Sequence, residues 1–251
     1  SPVGQSDGVR SRRARGGHGK DRAGKPGPFG QGVGRGAERA LRQSAPRAGR
    51  TRHGEIRSAL GVEPSRLLAR LAELQIIEQV VPVTEDPART KRKLYRVADN
   101  YLAFWLGRVE RHRSQIERGL GASVARLIES GLDDDLGAPW EDAFRRHLVR
   151  EAAAGRLPRD IVALGSWWNE NSSVQIDAVG LAGRAHTPVL FGEAKWARSA
   201  NGAALARVLD RKADGVPGAG DDRLYALCAR ERLRDTPAGV ITVTADDIFA
   251  I

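Results

Sequence analysis

Gln175-Ile176-Asp177-Ala178-Val179, followed after a turn by Leu190-Phe191-Gly192-Glu193-Ala194-Lys195-Trp196, is the stretch on which the reading of this chain turns. Side chains on a strand alternate between faces, so Glu193 and Lys195 point the same way. Asp177 lies sixteen residues before Glu193, enough for one strand, a loop over 181–188 and a return strand. Paired, the two strands would put two carboxylates and an ammonium on one face. Metal-assisted phosphodiester hydrolysis needs such a set: carboxylates hold a hard divalent cation, Mg²⁺ or Mn²⁺, and the lysine orients water or steadies the pentavalent phosphorus.

Further strands surround this pair. Residues 161–164 run into Trp167-Trp168, and 174–179 and 189–196 follow. A helix over 202–213 then precedes two apolar strands, 223–228 and 240–243. Three strands able to pair antiparallel, a crossover helix and two more strands predict an α/β fold with a mixed sheet flanked by helices. The helix expected over 138–151 carries Trp140, Phe144, Leu148 and Val149 on one side. Beside that stripe, Glu141 is open to two readings, completion of a cation site or a surface i,i+4 pair with Arg145.

Upstream, the pattern changes. Residues 55–60 form a short helix stopped by Gly61, and Pro64 opens a second helix with Leu67, Leu68, Leu71 and Leu74 as its apolar stripe. Ser65, Arg66, Ala69, Arg70 and Glu73 lie outward. A β-rich run (76–83) and a strand (94–97) enclose a polar loop containing Arg89, Lys91, Arg92 and Lys93. Helix, turn, helix and basic-tipped hairpin is the order of a winged helix, in which the second helix enters the major groove and the wing meets phosphates. That assigns Ser65, Arg66, Arg70, Arg89, Lys91, Arg92 and Lys93 to DNA contact; the alternative is a winged helix used for packing. Residues 99–117 form a helical stretch whose Tyr101, Leu102, Phe104, Trp105, Leu106 and Val109 predict a packed face, broken at Gly119. A helix over 122–130 then leads to Asp133-Asp134-Asp135, whose adjacent side chains diverge; a solvated turn is expected there.

Charge is unevenly placed. The net charge is +10, yet residues 1–50 hold 12 Lys/Arg against 3 Asp/Glu, leaving 29 against 28 in the remainder. The first 50 residues also contain 12 glycines and 4 prolines, a composition expected to be disordered and to bind polyanions through charge alone. Neither Gly16-Gly17-His18-Gly19-Lys20 nor the alternate glycines at 30–36 has the spacing of a nucleotide-binding loop. No apolar run reaches the length of a membrane span and no signal peptide opens the sequence, so a cytoplasmic protein is expected. Its single cysteine, Cys228, sits in an apolar strand and is expected to be buried and idle. The absence of methionine, the initiator included, suggests a fragment or a tail of uncertain origin.

The order Glu141, Asp177, Glu193-Ala194-Lys195 resembles the signature of the PD-(D/E)xK nuclease superfamily, although Gln175-Ile176 stands where that name has proline. One branch is closer still. Lys93-Leu94-Tyr95-Arg96-Val97-Ala98-Asp99-Asn100-Tyr101-Leu102-Ala103-Phe104-Trp105 is similar to a segment of a C-terminal domain of unknown function in archaeal-type AAA/STAND ATPases. So are Ile116-Glu117-Arg118-Gly119, Gly165-Ser166-Trp167-Trp168, Gln175-Ile176-Asp177 and Gly192-Glu193-Ala194-Lys195-Trp196. This likeness runs from about residue 55 to the C-terminus and implies, after the basic tail (1–50) read from composition, a winged helix (51–98), a helical connector (99–136) and a restriction-endonuclease-like domain (137–251). It also implies an ATPase module, as part or partner, whose motifs this sequence lacks. Asp177, Glu193 and Glu141 would then hold the metal, and Lys195 would serve the attacking water. The rivals are a non-catalytic module that binds DNA or the ATPase, and a remnant of an ATP-binding protein.

Overall fold

A computed structural model describes residues 51–250; the expectations for the basic tail over 1–50 lie outside them. Strand β1 (Thr51–Arg52) leads into helices α1 (His53–Leu60) and α2 (Ser65–Glu73), followed by β2 (Ile77–Val80) and β3 (Leu94–Val97). Helix α1 ends where expected, at Gly61 with φ +71°. Ile56, Leu68, Leu71 and Ile77 make the small core. Leu74 is half exposed because α2 ends at Glu73, which takes it off the stripe. Strand β3 lies between β1 and β2, antiparallel to both.

The connector departs from expectation. Helix α3 (Asn100–Phe104) is capped by the Asp99 carboxylate, which accepts the Leu102 N–H at 2.7 Å. It then loosens into wide π-helical turns at Trp105–Val109 and Ile116–Leu120 before α4 (Gly121–Ser130). Gly119, at φ +85°, makes the anticipated break. The apolar face predicted to be packed is only partly so: Tyr101 is 68% exposed and Trp105 is exposed, whereas Leu102, Phe104, Leu106 and Val109 are half-buried.

Helix α5 (Gly137–Ala153) precedes β4 (Ile161–Trp168), β5 (Gln175–Ala182) and β6 (Thr187–Lys195). Then come β7 (Ser199–Asn201), α6 (Gly202–Ala213), β8 (Leu224–Ala229), β9 (Arg232–Arg234), β10 (Ile241–Val243) and α7 (Ala245–Phe249). The main sheet runs β10-β8-β6-β5-β4; β4, β5 and β6 are antiparallel neighbours, while β6, β8 and β10 are parallel. The mixed sheet was therefore anticipated, whereas the small β7–β9 pair was not.

Both faces of this sheet are covered, which is why its strands are nearly continuous apolar runs. On one face Trp140, Phe144 and Leu148 of α5 and Ile248 of α7 pack on Ala178, Leu190, Ala194, Ala226 and Cys228. On the other, Leu209 and Ala213 of α6 cover Ile176, Val179, Phe191 and Leu227. Phe144 and Leu148 are fully enclosed, each worth about 1.5–3 kcal/mol. Val149, expected inward, is 48% exposed; it lies a helical step away from the buried stripe. Gly192 admits α5 closely: a Cβ there would stand 2.9 Å from the Phe144 ring.

The two parts are tied at several points. The Val83 N–H donates to the Ser166 carbonyl at 3.0 Å, and Val83 packs against Gly165. Arg92 donates to the Trp168 carbonyl at 2.8 Å, and Arg96 of β3 pairs with Asp142 of α5.

Candidate active site

Strands β5 and β6 pair, through one irregularity at Gly180–Leu181, as far as Ala178 opposite Gly192. Beyond that point the Asp177 side chain takes over from the backbone, its carboxylate accepting the Ala194 N–H at 2.9 Å. The structure thus fixes Asp177 beside the segment that carries Glu193 and Lys195. Lys195 donates to one Glu193 oxygen at 2.7 Å, as expected of side chains two apart on a strand. The other oxygen accepts from Lys212 of α6 at 2.8 Å. Glu193 is buried, so this double pairing neutralises a carboxylate that would otherwise be costly to enclose.

The electrostatics draw in the fourth predicted residue. Burial, followed by the nearby Glu141 and Glu193, pushes the Asp177 carboxyl up to about 7, against the Ala194 hydrogen bond and Lys195. Burial also works against the charge on Lys195, but Glu193, Asp177 and Glu141 outweigh it and raise the ammonium above its ordinary range. Asp177, Glu141, Glu193 and Lys195 therefore share one electrostatic site. Glu141 also stands 3.8 Å from Arg145, so the i,i+4 pair coexists with its place at the site.

The metal set is less complete. Among the described residues no three His, Cys, Asp or Glu side chains are gathered as a ready cage for a metal ion. Glu193 is committed to two lysines, which keeps it from acting as an open ligand beside Asp177 and Glu141.

Residues not singled out in the sequence support the site. Lys212 reads as a solvent-facing position of α6, yet it reaches Glu193. Asp142 is buried between Arg145 and Arg96, and Arg96 also pairs with Glu78. Burial works to raise the Asp142 carboxyl, but the two guanidiniums hold it below its ordinary value. Arg145 then donates to the Asp177 carbonyl at 2.7 Å. Asp142 stands among the inward positions of α5, and a charge at an apolar position was its only sequence signal. Cys228 is buried, as anticipated, and burial pushes its thiol up. Asp133 and Asp134 are exposed in a 3₁₀ turn, while Asp135 pairs with Arg108.

The residues assigned to DNA fall into two groups. Ser65, Arg66 and Arg70 lie on the exposed side of α2; Ser65 bonds Glu63, and Arg70 pairs with Glu73 at 2.9 Å. Arg89 and Lys91 are exposed on the hairpin loop and Lys93 is half-buried. Arg92 instead pairs with Glu85 and the Trp168 carbonyl, a packing role.

Residues 105–206, which include Glu141, Asp177, Glu193 and Lys195, match the family DUF234, archaeal and bacterial proteins of unknown function. An uncharacterized protein of Methanocaldococcus jannaschii, MJECL04, is 28% identical over 146 residues, covering 57% of this chain and 32% of that protein. The chain thus spans about a third of the length of that relative. No solved structure matches it. Among the described residues no helix is long and apolar enough to cross a membrane. The chain is therefore similar, over its connector and the first three strands of its main sheet, to archaeal and bacterial proteins whose function is unknown.

Proposed function

We propose that this chain is a metal-dependent DNA phosphodiesterase: a winged helix joined by a helical connector to a PD-(D/E)xK nuclease-like unit. The observation that carries this reading is the crowding of Asp177, Glu141 and Glu193 beside Lys195. It raises the proton affinity of a carboxyl that a cation could relieve. The order α5-β4-β5-β6-α6-β8 and the mixed sheet are compatible with it.

The carboxylates fit Mg²⁺ or Mn²⁺ in donor type. Asp177 and Glu141 would hold the ion, joined by the Glu193 oxygen that Lys195 releases when it turns to the water. A bound cation would offset phosphate charge and make water more acidic. Lys195 orients the water and Lys212 balances the second Glu193 oxygen. Water attacks phosphorus, one P–O bond breaks and the leaving oxygen takes a proton. Arg66, Arg70, Arg89, Lys91 and Lys93 contact backbone phosphates, and Ser65 supports the α2 edge. The likeness to AAA/STAND C-terminal modules supports an ATPase as partner.

Plasmid and oligonucleotide cleavage with Mg²⁺ or Mn²⁺ tests this. We expect Asp177→Asn and Lys195→Ala each to cut at least about 100-fold more slowly. Undiminished cutting by both variants would refute the assignment. A second reading is favoured by the two lysines that occupy Glu193: a non-catalytic module that binds DNA. It predicts metal-independent DNA binding, unchanged in Asp177→Asn, with no cleavage by any form.

A further inference from the structure

A cavity of about 430 Å³ opens where the start of α1, the β2–β3 hairpin and the end of β4 meet. Arg52, His53, Lys91, Arg92, Lys93 and Tyr95 line it. Four of these are cationic at neutral pH, against one carboxylate in the wall, Glu170. The four charges are not equally available. Arg92 is neutralised by Glu85, while Arg52 donates to the uncharged Ser172 hydroxyl at 2.6 Å. Lys91 and Lys93 have no ion-pair partner among the described residues. Three unneutralised cations, Arg52, Lys91 and Lys93, therefore line the cavity, and only Arg92 has its charge cancelled.

The opposite requirement, a surface for a flat apolar group, is met by rings. His53 and Tyr95 stand with centroids 6.4 Å apart, tilted by 52°. The volume lies at the lower end of the range of small-ligand sites, about 300–1,000 Å³. It suits one nucleotide and excludes a duplex. Ammoniums for a phosphate beside rings for a base are the parts that single-strand binders combine.

We propose that this cavity binds one phosphate-bearing nucleotide, free or at the unpaired end of a DNA strand. Its far wall leads toward the candidate active site. Trp168, which lines the cavity, pairs with Gln175 of β5, and Asp177 lies two residues further, about 7 Å along the strand. A strand end held here therefore continues toward Asp177; this continuation rests on the proposed phosphodiesterase, whereas binding does not.

The test is metal-free competition binding on the full chain by fluorescence anisotropy. The probes are a 5′-phosphorylated single-stranded oligonucleotide, the same strand unphosphorylated, a blunt duplex and thymidine monophosphate. Residues 1–50 are present in every variant, so their nonspecific contribution cancels. We expect a Lys91→Ala, Lys93→Ala double variant to bind the phosphorylated strand at least ten-fold more weakly at 0.15 M salt. Its salt slope should fall by about 1.4. Arg66→Ala with Arg70→Ala should weaken duplex binding by a larger factor than single-strand binding. Displacement of the strand by thymidine monophosphate supports the cavity with a free nucleotide as a source; displacement by the phosphorylated strand alone supports a strand end. Equal affinity of the double variant and the parent for every probe overturns the proposal, as does binding of duplex alone. Metal-dependent cleavage, measured in parallel, separates the two claims. Cavity-dependent binding without cleavage leaves this site standing and removes the phosphodiesterase, and the reverse pattern does the opposite.

Discussion

Asp142 and Asp177 lie on either side of Arg145, one hydrogen bond from it in each direction, yet they sit in opposite electrical surroundings. Asp142 is enclosed by two guanidiniums, Arg145 and Arg96, and is held ionised. Asp177 gives Arg145 only its backbone carbonyl and turns its carboxyl toward Glu141 and Glu193, where it is pushed toward neutrality. A buried acid with its countercharges in place is part of the framework. One surrounded by other acids is unfinished, and an arriving cation or proton completes it.

Removing each acid should separate these roles. The largest effect is expected at Asp142, where Asp142→Ala leaves Arg96 and Arg145 without their shared partner. Urea unfolding at pH 7 should show a loss of about 3–5 kcal/mol; a loss below about 1 kcal/mol would break the contrast. At Asp177 the sign reverses. Its folded value near 7 lies above the ordinary 3.8, so its contribution to stability is complete below pH 3.8 and is lost as pH rises through 7. Asparagine imitates the neutral acid and can still accept the Ala194 N–H. Asp177→Asn should therefore gain roughly 2 kcal/mol at pH 8 without metal, a gain that disappears toward pH 4. A stability difference that does not vary with pH would remove Asp177 from the unfinished class. The smallest effect belongs to the outer end of the same chain of charges. Glu78 pairs with Arg96 but its side chain is 41% exposed, so Glu78→Gln should cost at most about 1 kcal/mol in the same unfolding assay.

The legible parts of this molecule were those governed by local rules. Alternation placed Glu193 and Lys195 together, the apolar stripe of α5 placed Phe144 and Leu148, and Gly61 ended α1. What spacing could not convey was rotation and distance. Lys212 occupies a polar position on α6, and only the turn of that helix against β6 brings it to Glu193. Asp142 and Arg96 are 46 residues apart on different elements, so neither announces the other. The connector differs: its apolar pattern predicts packing throughout, yet Tyr101 and Trp105 stay exposed while Leu102, Phe104, Leu106 and Val109 are half-buried, because pattern describes a side chain and not what lies over it. Arg92 resembled its neighbours as a loop cation until Glu85 and Trp168 claimed it.

The attachment of the hairpin to β4 has a further consequence. Val83, Arg92 and Arg96 join the two parts through a backbone hydrogen bond, a guanidinium on a carbonyl and a buried ion pair, so the basic loop is tied to the sheet that carries Asp177. Such a junction behaves as a ruler. A strand gripped at Lys91 and Lys93 would present the same linkage to Asp177 each time, and its products would share one length, counted from the gripped end.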